Sequence, residues 1–547
     1  MAATVDFEKL ELQSIDHLGL VASLIQKYDL VKLTDKHLPI SQEKGSIVSH
    51  GQRVAAMIIN GLGFTAKPLY LSPDFFESKP VSRLIGEGVE AEHLNDDALG
   101  RTLDAIYDQG CTSLFSEISF HIASKHQLIG KSAKLDTTSL KLFGEYYEVD
   151  EEKGKKPPQP ALGYSKDHRP DLKQVVMSLM VSGPGSIPLW FEGLDGNSQD
   201  KKNFHETIER VRAFQNSLKD SPSFLWVADS ALYHQGKLKD TTIRFLTRIP
   251  ATLKLVKNYY QQDKEAFAWE DLAPGYRGCW VESNHPQKER WLLIHSEQAA
   301  KKQTITLLRR IEKALGAAKT AAKKLSSMCF SCEADAIKAA ERFEKSLKYH
   351  QLTYTLNPVY SHQKQGRPKL GAKAKLSHYQ LRIELNKSET KCQSFENQVG
   401  RFILGTNETQ ISLTAEQMLS TYKEEQDVER GFRFIKEPSF QLNKVFLKKP
   451  ERIEALMMIM TLCLMIYNLG QHQVREQLKK EKETLPNQKG KEISNPTMRW
   501  IFQMMNAITI AHYPEQGSHT MGLNENKRKI IGLFGIEALE IYGLKSK

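Results

Sequence analysis

The segment that most constrains this chain is 422–436, where apolar and charged side chains recur with the period of an α-helix. Its apolar stripe consists of Val428, Phe432 and Ile435. The face beside that stripe carries Tyr422, Glu425, Glu429, Arg433 and Lys436. A helix docked by the stripe would point a carboxylate at a neighbour, and an inward carboxylate needs a metal ion or a cation. A solvated amphipathic helix with i,i+4 pairs such as Glu429–Arg433 would give the same pattern.

Composition places the chain among soluble globular proteins. With 547 residues, 40% hydrophobic and 26% charged, it has room for several domains and a sizeable core. The formal net charge of +11 suits a polyanionic partner, although charge alone does not identify one. The acids near the N-terminus predict that there is no signal peptide. The longest apolar run, 455–466, is too short to cross a bilayer, so we expect a cytoplasmic protein without membrane contact.

Six cysteines are too few for a disulfide framework and fit a reducing compartment. Cys329 and Cys332 form a lone C-x-x-C pair with no second pair at zinc spacing. We interpret this pair as structural, and zinc binding stays open as the alternative.

The first 125 residues predict a helical N-terminal domain. Ser49 and Asn95 are plausible N-caps, the second for a helix over 96–107. Short helices separated by turns suit a DNA-reading domain, and they suit a dimerisation or packing domain equally.

From 126 to 250 the pattern changes to that of a mixed α/β core. Strand-like runs cover 134–143, 175–181, 187–191, 224–229 and 245–249, with a helix predicted over 204–218 before the fourth run. Three antiparallel strands, a helix and further strands is the order of a ribonuclease-H-like core. An acid within the first strand, Asp136, and one at the end of the fourth, Asp229, would then lie side by side.

Residues 251–400 interrupt this core and predict an inserted domain with strands and a long helix over 299–325. Its stretch 301–325 has eight basic residues and one acid, which fits a solvated face or a phosphate-tracking one. The basic loop 364–375, which contains Arg367, is expected to be exposed and could contact nucleic acid. Residues 401–475 return to the core, with a buried helix over 452–469, and 476–547 form a C-terminal helical region that opens with a basic linker, 479–491.

Asp136, Asp229 and Glu429 are the acids that carry chemistry in this reading. Cutting or transferring a phosphodiester needs one or two Mg²⁺ ions close to the scissile phosphate. Mg²⁺ prefers hard oxygen ligands and retains several waters, so two or three carboxylates on rigid elements are sufficient. A helix cap or a surface ion pair is the alternative role for each acid.

The sequence resembles bacterial insertion-sequence transposases of the DDE class, in the group with a β-strand-rich domain inserted before the glutamate. The matching segments are 135–139, 163–174, 193–200, 226–229 and 422–436, in that order. The resemblance implies an α/β fold, in which an inserted domain interrupts a ribonuclease-H-like catalytic core that follows a helical N-terminal domain.

The helix signature of that group is Tyr-x2-Arg-x3-Glu-x6-Lys. Tyr422, Glu429 and Lys436 match it, whereas Glu425 stands at the arginine position. The resemblance implies that the tyrosine and lysine contact DNA, and we hypothesise that Arg433 supplies the missing charge. Arg169 and Lys173, in a polar loop between the first two strands, are predicted to contact phosphates or to hold the loop, rather than to act as catalysts.

By resemblance, the chain uses Mg²⁺, with Mn²⁺ as a possible substitute, held by Asp136, Asp229 and Glu429. It would nick the inverted-repeat ends of a transposon and join each 3′-hydroxyl to target DNA. Its partners would be double-stranded DNA and a second copy of itself, in the bacterial nucleoid. Two alternatives stay open: a ribonuclease-H-like nuclease that only hydrolyses, and a non-catalytic DNA-binding derivative.

Overall fold

The structure is a computed structural model of the chain. It describes residues 10–40, 47–63, 71–143, 146, 156–164, 169–198, 200–218, 223–230, 232–233, 243–284, 288–362, 373–408, 413–424, 426–437, 449–513 and 517–545. The chain divides into two compact units, Met1–Arg244 with Thr421–Lys547, and Phe245–Ser420.

The first unit begins with a short strand followed by helices. They are β1 (Glu11–Ser14), α1 (Leu18–Lys27), α2 (Leu30–His37), α3 (His50–Gly61), α4 (Ser72–Phe76), α5 (Val81–Leu84), α6 (Asp96–Gln109) and α7 (Cys111–Lys125). Both predicted caps are confirmed: the Ser49 side chain accepts a hydrogen bond from the Gln52 amide, and that of Asn95 accepts one from the Ala98 amide. These caps could be predicted because donor and acceptor lie three residues apart.

Four strands and one helix follow in the described part of this unit. They are β2 (Ser132–Lys141), β3 (Gln174–Ser182), β4 (Ile187–Leu194), α8 (Asp200–Asn216) and β5 (Leu225–Ala228). The strands lie in the order β4-β3-β2-β5, with β2 antiparallel to β3 and parallel to β5. Helix α7 packs on β4, and α8 contacts β2. The apolar runs therefore became strands as predicted, because each buries its side chains within the core.

The second unit has its own strands and helices. They are β6 (Arg244–Arg248), α9 (Lys254–Gln261), β7 (Glu270–Ala273), β8 (Tyr276–Val281), β9 (Arg290–Ser296), α10 (Glu297–Ser326), α11 (Glu333–Ser346), β10 (His350–Ser361), β11 (Lys375–Lys387), α12 (Glu389–Gln398), β12 (Arg401–Thr406) and α13 (Ala415–Lys423), with β6 and α13 each crossing a boundary of the unit. Strands β6-β12-β9-β8-β7 pair antiparallel in that order, and β10 with β11 forms a separate long hairpin. Ala336 and Ala340 of α11 pack against Leu381 of this hairpin. Helix α10 confirms the predicted long basic helix.

The chain then returns to the first unit. Its elements are α14 (Gln426–Ile435), α15 (Pro450–Glu481), β13 (Leu485–Pro486), β14 (Glu492–Ile493), α16 (Met498–Met504), β15 (Thr509–Tyr513), β16 (Gly517–Met521), α17 (Glu525–Phe534) and α18 (Ile536–Ile541). Strand β1 pairs with β15, with Glu11 opposite His512. The N-terminal part was predicted to be helical and the C-terminal region likewise. Strand β1 was missed because its pairing partner lies at the opposite end of the chain.

Helix α15 is the central element of the first unit. It contacts α1, α3, α6, α7, α14, α16, α17 and β4. By length and mean hydropathy, 1.7 over its most apolar window, it could cross a membrane, but 83% of that window is buried inside the protein, as in a core helix. The predicted helix over 452–469 was too short. The predicted linker was wrong as well, because α15 extends to Glu481 and β13 pairs with β14 beyond it.

Candidate active site

Asp136 and Asp229 lie at the same level on neighbouring strands. In the parallel pairing of β2 with β5, Lys134 is opposite Val227. Asp136 and Asp229 each follow two residues later, so the register places the two aspartates side by side. Asp136 is half-buried, and its Oδ1 accepts a hydrogen bond from the Thr137 amide at 2.7 Å. Asp229 is exposed just beyond the last residue of β5.

The stretch that was predicted as one helix over 422–436 is divided in the structure. Helix α13 ends at Lys423, Glu424 lies in a turn, and α14 begins at Gln426. At this division the Glu424 carboxylate meets the Lys134 ammonium at 2.8 Å. The single helical phase therefore applies from Gln426 onward, and Tyr422 belongs to a different helix from Glu429.

Helix α14 packs against β2, β3 and α15 by its apolar face. The predicted stripe is confirmed, since Val428, Phe432 and Ile435 are all buried. Gly431 is the point of closest approach, because a Cβ atom there would lie 3.0 Å from a Leu464 methyl carbon and 3.5 Å from one of Leu179. Leu179 pairs with Asp136 across β2 and β3. Helix α14 therefore crosses the sheet at the level of Asp136, with Glu429 on its exposed side.

These three acids match the ligand preference of a hard divalent cation. Asp136 and Asp229 offer carboxylate oxygens on adjacent strands, the arrangement expected for a shared ion. Two carboxylates so placed repel each other when both are ionised, and a cation between them removes that cost. Among the residues that the structure describes, no three His, Cys, Asp or Glu side chains are grouped closely enough to hold a metal. Glu429 therefore stays a predicted third ligand.

The predicted DNA contacts in this region are divided between α13 and the end of α14. Tyr422 is half-buried near the end of α13. Arg433 is exposed one helical turn after Glu429, and Lys436 follows the last residue of α14. A DNA strand that reached Glu429 could therefore also contact Arg433.

The remaining predicted contacts have local partners or lie elsewhere. The exposed Arg169 guanidinium donates to both Asp171 carboxylate oxygens, at 2.8 and 2.6 Å, and these hydrogen bonds hold the pKa of Asp171 well below its usual range. The Lys173 ammonium donates to the Tyr146 carbonyl at 2.7 Å. Arg367 lies outside the described residues.

Lys134 is the site residue that the sequence reading missed. Its side chain is only 2% exposed, and it points to the same face of β2 as Asp136 because the two are two residues apart. Its carboxylate partner, Glu424, is 53% exposed. A lysine inside an apolar strand was the available signal, since a buried ammonium requires an acid partner.

Two known protein families match most of the chain. Residues 134–468 match the family described as "Transposase DDE domain", and residues 10–120 match "Domain of unknown function (DUF4277)". No curated protein matches the chain. Among solved structures, "Cryo-EM structure of piggyBac transposase synaptic complex with hairpin DNA (SNHP)" is similar at 9% sequence identity and a TM-score of 0.36, over 89% of this chain and 80% of that one. That score is too low to establish a shared fold.

Proposed function

The chain belongs to the transposase DDE domain family, whose match covers more than half of it, and from this membership we propose that it catalyses DNA transposition. It would cut the inverted-repeat ends of a bacterial insertion sequence and join the freed 3′-hydroxyls to target DNA. The observation that carries the proposal is the pairing of β2 with β5, which sets Asp136 beside Asp229. All three predicted acids fall within the matched residues.

The proposed core is ribonuclease-H-like. The strand order β4-β3-β2-β5, with β2 antiparallel to β3 and parallel to β5, supports it. Helix α14 on β2 and β3 adds the element that carries Glu429. The residues between β5 and α14 include the compact unit Phe245–Ser420, which we propose to be the inserted domain.

Asp136, Asp229 and Glu429 would hold the divalent ion, Mg²⁺ by preference and Mn²⁺ as a substitute. When bound, such an ion supplies activation of the attacking water or hydroxyl and stabilisation of the leaving oxygen. The protein's own contribution is rigid placement. Two acids are anchored to adjacent strands, and the Lys134–Glu424 ion pair ties the start of α14 to β2.

The proposed partner is double-stranded DNA, bound by a homodimer that holds two transposon ends together. The net charge of +11 favours this polyanion through counterion release. Tyr422, Arg433 and Lys436 are proposed to contact the ends. Arg169, Lys173 and Arg367 are proposed as further phosphate contacts, and for Arg169 this requires exchanging Asp171 for a phosphate.

A strand-transfer assay that compares wild type with Asp229→Asn tests this proposal. Purified wild type, Asp229→Asn and the control Asp97→Asn, an exposed acid on α6, are incubated with an end-containing duplex, a target plasmid and Mg²⁺. We expect Asp229→Asn to reduce joining by about 10²- to 10³-fold, since a metal ion contributes several kcal/mol to transition-state stabilisation. Asp97→Asn should join like wild type.

The other outcomes identify the alternatives. Cleavage without joining would assign the chain to nucleases that only hydrolyse. DNA binding with neither reaction, in Mg²⁺ and in Mn²⁺, would indicate a non-catalytic DNA-binding derivative. Equal joining by wild type and Asp229→Asn would remove Asp229 from the site.

A further inference from the structure

A cavity of about 450 Å³ lies on another flank of α14, among the turn between β3 and β4, helix α15 and the start of α16. We call it the arginine pocket because four of its lining residues are Arg430, Arg433, Arg475 and Arg499. All of its lining residues belong to the first unit. None of the three predicted catalytic acids lines it, so it is separate from the site described above.

The arginine pocket has more positive charge than its own carboxylates neutralise. Two of its described lining residues are acids, and both are engaged: Asp427 accepts from Arg430 at 2.9 Å and from the Ser186 hydroxyl at 2.7 Å, while Glu437 pairs with Arg499. In the described part of the chain, Arg433 and Arg475 have no carboxylate partner. Neither guanidinium is therefore paired with a carboxylate, and Asp427 stabilises the charge of Arg475 without a direct contact.

Arg475 carries the larger cost of this arrangement. It is half-buried, and its Nε donates to the Pro496 carbonyl at 3.0 Å, which fixes the guanidinium in place. Burial, with a smaller contribution from Arg430, lowers the pKa of Arg475. A partly desolvated cation next to further cations is unfavourable unless an anion joins them. An anion bound among these guanidinium groups would lower that cost.

The other walls indicate what kind of anion fits. Phe434 and Tyr467 lie side by side, with ring centroids 4.5 Å apart, and form an apolar wall. Two amides are held by backbone groups: Asn468 donates to the Ser186 carbonyl at 2.8 Å, and Gln471 accepts from the Met498 amide at 3.1 Å. Cations together with an apolar wall suit a phosphate ester with its sugar better than a small inorganic ion.

We propose that the arginine pocket binds a backbone phosphate of the DNA strand that passes α14. This inference rests on the proposed function. Arg433 is one helical turn from Glu429 and also lines the pocket, so a strand at the acids passes within a turn of it. The pocket binds the phosphate without reading sequence, and it positions the strand.

Gln471→Glu tests the pocket by placing a negative charge inside it. Glutamate has the same size, and its carboxylate can still accept the hydrogen bond from the Met498 amide. The control is Gln503→Glu, which adds the same charge at an exposed position on α16 outside the pocket. Fluorescence anisotropy with labelled duplexes, without metal ion and from 50 to 200 mM salt, gives the affinity of each variant. Thermal unfolding shows whether each is folded.

Relative to Gln503→Glu, we expect Gln471→Glu to bind about tenfold more weakly at 0.1 M salt, and the slope of log K against log salt to shrink by about 0.9. The loss should be the same on end-containing and scrambled duplexes, because a phosphate contact carries no sequence information. Arg475→Gln should behave as Gln471→Glu does.

Equal affinities and salt slopes for Gln471→Glu and Gln503→Glu would overturn the inference and leave transposition in place. Wild type that binds no DNA would instead overturn the proposed function. A third result would assign the pocket to free phosphates and also overturn the inference. In that case inorganic pyrophosphate raises the unfolding temperature of wild type but not of Gln471→Glu, while both bind DNA equally.

Discussion

At the scale of single residues, Lys134 shows which features of the site cannot be predicted from the sequence. The adjacency of Asp136 and Asp229 could be predicted, because each acid sits at a defined point of a strand with a local apolar signal. The position of Lys134 in an apolar strand signals its burial, but its partner could not be predicted, since Glu424 is remote in sequence. The same holds for the arginine pocket, whose walls come from separate parts of the chain.

The Lys134–Glu424 pair should respond unequally to the removal of each partner. Glu424→Ala leaves a buried ammonium without its carboxylate. We expect it to lower the free energy of unfolding by about 1–3 kcal/mol, less than for a fully buried pair because Glu424 is 53% exposed to screening water. Lys134→Met removes the charge itself and should cost under about 1 kcal/mol. Urea unfolding of the two variants measures both, and equal losses would contradict this account.

At the scale of elements, local signals predicted most helices and strands but not the division between α13 and α14. The amphipathic period runs through 422–436 without interruption, so nothing in the pattern marks a break. The structure divides the helix where Glu424 meets a strand residue. Boundaries of this kind depend on tertiary contacts, whereas the caps at Ser49 and Asn95 do not.

Helices α6 and α15 are joined by an ion pair with a defined pH dependence. Arg452 donates to both Asp104 carboxylate oxygens at 2.7 Å, and these hydrogen bonds lower the pKa of Asp104. The pair therefore stabilises the fold above about pH 4, and its contribution is lost as the pH falls through the lowered folded-state pKa. Because Asp104 is 40% exposed, Arg452→Gln should cost only about 1 kcal/mol at pH 7.

The measurement is urea unfolding of wild type, Arg452→Gln and the control Arg528→Gln, an exposed arginine on α17, from pH 7 downward. The gap between wild type and Arg452→Gln should be constant to about pH 4 and narrow below it. A gap that stayed constant down to acid unfolding would rule out Asp104 as its source.

At the scale of the whole molecule, the mixed α/β architecture follows from the order of helical and strand-like segments, as predicted. The six cysteines are all free, and Cys329 and Cys332 are exposed. Within the described ranges, these two have no third ligand near them. Packing, rather than covalent or metal cross-links, is therefore expected to hold the chain together.

We expect calorimetry in a buffer without added metal ions to give the same unfolding temperature with and without a reductant. A chelator should likewise leave that temperature unchanged. A structural zinc ion contributes about 10–16 kcal/mol in small domains, so its removal would lower that temperature visibly. A lower unfolding temperature with chelator alone would support zinc binding at Cys329 and Cys332. A drop with reductant alone would reveal a disulfide.

The contacts of α15 also determine the order in which the chain can fold during translation. Helices α1, α3, α6 and α7 emerge from the ribosome first, yet they pack on α15, which follows the entire unit Phe245–Ser420. Strand β1 can pair only later, after its partner β15 has been synthesised. The unit Phe245–Ser420 can therefore fold before the first unit is complete, which reverses the usual N-terminal-first order. Until α15 is synthesised, the apolar faces of the earlier helices are exposed and can bind chaperones.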